Sequence, residues 1–177
     1  MLESTRRVDT VVLDKTGTVT TGVMSVHDVV THHAEAVRLA GALEASSEHP
    51  VGRAIAEHVA GSGPQPWQSP AAQVTEFVGH QGIGVSGLVD GRSVRVGRAP
   101  SDISLPTDDV RGTARSETLP FALAQAVCTA REAGRTAVLV ELDDKPVAVF
   151  DVGDTVKETS AEAVRRLRDL GQHRVQP

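Results

Sequence analysis

Asp14-Lys15-Thr16-Gly17-Thr18 follows directly on Val8-Asp9-Thr10-Val11-Val12-Leu13, and this junction decides the fold. The apolar run is short and rich in β-branched residues, which is the pattern of a buried strand. A carboxylate at the end of a strand, with a polar pair and a glycine after it, suits chemistry at the carboxyl edge of a sheet. The Asp14 carboxylate can act as a nucleophile and carry a phosphoryl group as an acyl phosphate. Transfer of that group needs positive charge nearby, so Lys15 and a Mg²⁺ ion are sensible neighbours. Thr16 and Thr18 offer hydroxyl or backbone groups to phosphate oxygens, and Gly17 lets the backbone turn and approach closely. The plain alternative is a polar turn capped by Asp14. The full five-residue string, with Val19-Thr20-Thr21-Gly22 behind it and a strand before it, favours the chemical reading.

The bulk numbers narrow the rest. A chain of 177 residues suits one domain, or one domain with part of another. It is 40% hydrophobic but only 2% aromatic, so its core is built from Val, Leu, Ile and Ala. A net charge of −5 gives no basic footprint for nucleic acid. The single cysteine, Cys128, excludes an internal disulfide and permits a reducing compartment. No run reaches the length of a membrane span and no signal peptide is visible, so the chain by itself is expected to be soluble.

Residues 23–30 read as a second strand. Residues 34–44 read as a helix with Ala36, Leu39, Ala40 and Leu43 on one face. A second helix starts at Pro50, the favoured first helical position, with the stripe Val51, Ala54, Ile55, His58 and Val59. Gly61-Ser62-Gly63-Pro64 breaks into a loop. Strands follow at 74–78, 83–89 and 93–96, the last two joined at Asp90-Gly91. Residues 99–118 read as a long loop, and 120–133 as a helix closed by Gly134. A hairpin over 136–142 and 146–150 turns at Asp143-Asp144-Lys145. A last helix is expected from Thr155, with Thr155 and Glu158 at capping-box spacing and Ala161, Val164 and Leu167 as its stripe.

Two further segments carry chemistry. Glu44-Ala45-Ser46-Ser47-Glu48-His49-Pro50 is the elbow between the first two helices. The helix dipole disfavours a carboxylate in a last turn, so helix stability does not explain Glu44. His49 precedes proline and is pushed into an extended conformation at the mouth of the next helix. A carboxylate can accept a hydrogen bond from the exocyclic amine of adenine, and an imidazole can stack on or bond to the purine. The plain alternative is a polar loop with a surface histidine. Gly82-Ile83-Gly84-Val85-Ser86-Gly87 fits GxGxxG but runs into a hairpin strand, so a dinucleotide fold is a poor reading. A loop without side chains that admits a nucleotide to the backbone fits better, against the alternative of a strand bend. No Walker A lysine motif is present. His27, His32 and His33 read as solvated surface rather than a metal site, and Cys128 as a helix residue at or near the core.

In this order, the three segments resemble the heavy-metal-transporting, copper-like (type IB) subgroup of P-type ATPases, from about residue 7 to 171. The resemblance implies an α/β chain: an α+β nucleotide-binding domain with a mainly antiparallel sheet, inserted in a haloacid-dehalogenase-like phosphorylation domain. The implied division is 1–21, 22–150 and 151–177, the middle piece being the nucleotide domain. It further implies that Asp14 takes the γ-phosphoryl group of ATP, with Lys15 and Thr16 beside it and Asp14 and Thr16 as part of a Mg²⁺ site. Glu44 and His49 would hold adenine, with Gly82, Gly84 and Gly87 in the same pocket. Asp154 and Lys157, in Gly153-Asp154-Thr155-Val156-Lys157, would form the return hinge near the catalytic edge, with helix capping as the alternative. Arg98 departs from the family's usual Gly-Asn and receives no role.

A membrane region, an actuator Thr-Gly-Glu and a Gly-Asp-Gly motif, all implied partners of such a site in the parent pump, are not among these 177 residues. A lone Asp14 is a poor Mg²⁺ site. The expectation is a cytoplasmic fragment that binds ATP or ADP and turns over slowly or not at all. Two other classes compete. A soluble haloacid-dehalogenase-type phosphatase usually has a second acid two residues after its nucleophile, where this chain has Thr16. A non-catalytic nucleotide-binding module is the third class.

Overall fold

The computed structural model describes residues 10–62, 72–103, 119–169 and 174–176. The chain divides into two compact units, Met1–Val23 with Asp154–Pro177, and Met24–Gly153. The boundary falls within two long strands, β2 (Thr20–Thr31) and β7 (Lys145–Val156).

The larger unit is built on a sheet of order β2-β7-β6-β5-β4-β3, with β3 at Val74–His80, β4 at Gly84–Val89, β5 at Arg92–Arg98 and β6 at Thr136–Leu142. From β3 to β7 every neighbouring pair is antiparallel. The two tight hairpins close where the sequence supplies residues that accept positive φ. Asp90 and Gly91 have φ of 51° and 77°, and Asp143 and Asp144 of 51° and 61°, which matches the right-handed twist of the strands. Strand alternation feeds two cores. Val138, Val140 and Leu142 of β6 face the helices α1 (Ala34–Glu44) and α2 (Pro50–Ser62), while Ala137 and Leu139 face α3 (Phe121–Glu132). The first core holds Leu39, Leu43, Ile55 and Phe150, all fully buried.

The smaller unit contains β1 (Thr10–Val12), α4 (Glu158–Asp169) and β8 (Arg174–Gln176). β1 and β8 pair in parallel, Val11 opposite Val175. A parallel pair with a helix leading into one strand is the βαβ way of building a sheet.

Several sequence expectations change. β2 begins at Thr20 rather than at 23, and α2 continues through Gly61 to Ser62. The second hairpin turns on Asp143-Asp144 alone, since Lys145 already belongs to β7. That strand does not stop at 150. Asp151 is only 5% exposed and is held by Arg135, whose Nε and Nη2 donate to it at 2.8 and 2.5 Å, so an acid is accommodated inside the sheet. Thr155 lies in the strand, and α4 starts at Glu158 rather than at Thr155. The expected stripe is weak too: Ala161 is exposed, and Ser160 is the buried residue of α4. Of the long loop expected over 99–118, residues 104–118 lie outside the described residues, as do 63–71.

Candidate functional site

In the larger unit the elbow is built around one buried acid. Glu44 ends α1 at 5% exposure, in a row of buried α1 residues that includes Leu43. Desolvation raises its pKa above the usual carboxylate value, partly countered by a hydrogen bond with the Ser47 side chain. Ser47 also accepts the His49 N–H at 3.3 Å, so a single hydroxyl joins the two residues singled out in the sequence. His49 is exposed, and its Nδ1 accepts the Val51 N–H at 3.2 Å while its carbonyl accepts Arg53 N–H at 3.0 Å. The imidazole therefore caps α2, which fixes Nδ1 as the acceptor and leaves Nε2 carrying the proton.

The glycine segment lies on the same face. A side chain at Gly87 would meet Leu43 Cδ1 at 2.9 Å, so the residue before Glu44 is seated directly on β4. Gly87 stands opposite a bulge in β3, between the pairs Thr75↔Leu88 and Val78↔Ser86, where Glu76 has φ of 54°. Gly84 pairs with Gly97 at φ of 155°, and a Cβ there would lie 2.1 Å from the Val96 carbonyl. Gly84 is thus required by the close approach of β4 and β5 whatever binds nearby. Gly82 sits in the turn ahead of it, with Ile83 66% exposed. The Ile83 carbonyl accepts the Arg98 N–H at 2.8 Å.

Beside this turn a cavity of about 560 Å³ is lined by Gly82, Ile83, Arg98, Pro100, Ser101 and Arg131 among others. Arg131 is occupied there, its guanidinium donating to the carbonyls of Ala99, Pro100, Ser101 and Ile103. Glu44 and His49 do not line this cavity. Leu43, the residue before the elbow, packs on Gly87; Gly82 and Gly84 lie further along the same hairpin.

In the smaller unit Asp14 is exposed just past the end of β1, the carboxyl edge of the parallel pair. Residues Lys15–Val19 form one wide helical turn after it. The return segment clamps this stretch. Asp154 accepts from the Thr20 hydroxyl and from Gly22 N–H at 2.9 Å. Lys157 Nζ donates to the Gly17 carbonyl at 2.6 Å, and Ser160 Oγ to the Val19 carbonyl at 2.6 Å. Asp154 lies in β7 and does not cap a helix. Asp14 brings a single carboxylate, and among the described residues no group of three or more His, Cys, Asp or Glu gathers that could hold a metal ion. Mg²⁺ keeps several waters and is usually bound by one or two carboxylates together with substrate phosphates, so the Asp14 carboxylate would supply one of its ligands. His27, His32 and His33 are exposed.

Ser47 and Gly52 were not singled out by the sequence reading. The only signal was a hydroxyl residue three positions after Glu44, a spacing that a local hydrogen bond can span.

The chain belongs to the haloacid dehalogenase-like hydrolases, whose family model matches residues 8–175. Its relatives are more particular. It is 39% identical over 175 residues to the probable copper-exporting P-type ATPase V of Mycobacterium tuberculosis, a match covering 97% of this chain and 21% of that protein. Among solved structures, a zinc-transporting PIB-type ATPase in its E2.Pi state is 26% identical at a TM-score of 0.68, covering 96% of this chain and 25% of that one. The catalytic domain of the CPx-ATPase CopB-B, at 20% identity and a TM-score of 0.65, shares the fold over 98% of this chain and 55% of its own. The chain spans about a fifth of the length of the curated relatives it matches. No described helix is long and apolar enough to cross a membrane.

Proposed function

We propose that this chain is the ATP-binding cytoplasmic region of a heavy-metal cation pump, with residues 22–150 as the nucleotide domain and 1–21 and 151–177 as pieces of the phosphorylation domain. The metal moved by the parent is copper on this reading, by likeness to the copper-exporting relatives. The observation that carries it is the buried Glu44 carboxylate, held by Ser47 beside His49 on the face where Leu43 covers Gly87. A buried acceptor is costly unless a donor meets it, and the exocyclic amine of adenine is such a donor. Guanine presents a carbonyl oxygen at the same place and would set acceptor against acceptor.

In the parent, an Asp14 carboxylate oxygen attacks the γ-phosphorus of ATP, the bond to the β-phosphate oxygen breaks, and ADP leaves. Water later cleaves the acyl phosphate. Asp154, Lys157 and Ser160 act as positioning residues that hold the turn after Asp14. Thr16, rather than an acid, stands two residues after the nucleophile, which suits a phosphoenzyme that persists. Calorimetric titration of the chain tests the binding part. ATP and ADP are expected to bind with similar affinity and GTP about tenfold or more weakly. Equal binding of GTP contradicts the role given to Glu44, and release of phosphate from a generic aryl phosphate by the chain contradicts the pump reading in favour of a phosphatase.

A further inference from the structure

Gly52 is the third residue of α2 and is buried. Helix propensity does not favour glycine there, since alanine is the better helix former. The space explains it. A Cβ at residue 52 would lie 2.2 Å from Glu44 Oε2, 2.8 Å from Ser47 Oγ and 2.9 Å from Ser47 Cβ. All three separations are shorter than real Cβ contacts. The Glu44 carboxylate therefore occupies the volume that a side chain at 52 would take. The same hydroxyl that touches this niche accepts the His49 N–H.

We propose that Gly52 and Ser47 are positioning residues for purine recognition, the glycine leaving the niche in which the Glu44 carboxylate is lodged and the serine tying that carboxylate to His49. The inference rests on the nucleotide reading above and adds to it what sets the acceptor's place. A methyl group at 52 drives the carboxylate out of the niche, away from Ser47 and out of register with the base. By contrast a Cβ at Gly61, in the same helix, meets open space, so Gly61→Ala is the matched control.

The test compares Gly52→Ala, Ser47→Ala and Gly61→Ala in this 177-residue chain, by ATP and GTP titration and by carbon-detected titration of the Glu44 carboxyl without nucleotide. Gly52→Ala is expected to weaken ATP by about tenfold, as for a lost hydrogen bond to a charged group, and to erase the preference over GTP. Ser47→Ala introduces no new atoms and is expected to lower the same preference by less; Gly61→Ala is expected to match the parent. In the background of Glu44→Ala, Gly52→Ala should cost much less ATP affinity than in the parent, as expected if its effect runs through the Glu44 carboxylate. The Glu44 carboxyl should titrate above the ordinary carboxylate range in the parent and move toward it in Gly52→Ala. If the parent binds ATP and Gly52→Ala leaves both its affinity and the Glu44 titration unchanged, the positioning role is wrong. If the parent binds neither nucleotide, the nucleotide reading fails, and the Glu44 titration alone still decides whether Gly52 sets the carboxylate's place.

Discussion

Replacing Glu44 by glutamine is expected to weaken ATP binding by about tenfold, since a hydrogen bond to a charged acceptor contributes about 1 kcal/mol more than one to a neutral amide oxygen. The same change should make the nucleotide-free chain more stable at neutral pH. Burial raises the Glu44 pKa in the folded chain, so the folded state holds that proton more tightly than the unfolded one. Stability from this group is fully present below its unfolded pKa and is lost as pH rises through the folded value. At neutral pH the ionised carboxylate therefore costs stability that a glutamine does not. Its amide oxygen still accepts from Ser47. A gain of about 1 kcal/mol is expected, vanishing in acid. Thermal melts of both chains across pH, with nucleotide titrations alongside, check both halves. A loss of stability at neutral pH would show that the carboxylate is better satisfied than its burial implies. Raised apo stability beside lost affinity is the trade-off common at binding sites.

The second large effect is in the core. Phe150 is fully buried, and the other described phenylalanines, Phe77 and Phe121, are 38% and 59% exposed. With so few aromatics, the packing between the sheet and the α1–α2 face depends on this one large ring, which shares a core with Leu39, Leu43 and Ile55. Phe150→Ala is expected to cost about 3–5 kcal/mol from lost transfer energy and the cavity left behind, a large part of the stability of a domain this size. Phe121→Ala, at the exposed start of α3, should change stability by about 0.5 kcal/mol or less. Urea unfolding with equal slopes for the two variants measures the difference. A small effect of Phe150→Ala would mean that neighbours collapse into the space.

What was legible in the sequence was mainly local. Helix α1 was read residue for residue, because Ala36, Leu39, Ala40 and Leu43 recur at the helical period and all four are buried. The Asp90-Gly91 hairpin was read from its turn chemistry. The end of β7 was missed for a tertiary reason. Asp151, Gly153 and Asp154 look like chain breakers until their partners are known: Arg135 holds Asp151 and its side chain covers Gly153, and Asp154 accepts from Thr20 and Gly22. The site was legible as motifs but not as geometry. Glu44 and His49 stood out by type and spacing, whereas Gly52 and Ser47 acquire meaning only once α1 and α2 pack around the carboxylate. The glycines teach the opposite lesson. Gly84 and Gly87 drew attention as a nucleotide loop, yet the contacts of β4 with Val96 and Leu43 already require them.

The most direct test follows backbone amide shifts while ATP is added to the chain. Shifts are predicted at Glu44 and His49 and through Gly82, Gly84 and Gly87, saturating together with one affinity. A flat titration contradicts the account. So do shifts confined to a separate groove of about 260 Å³ bounded by Asp28, Val30, Ala122 and Thr129.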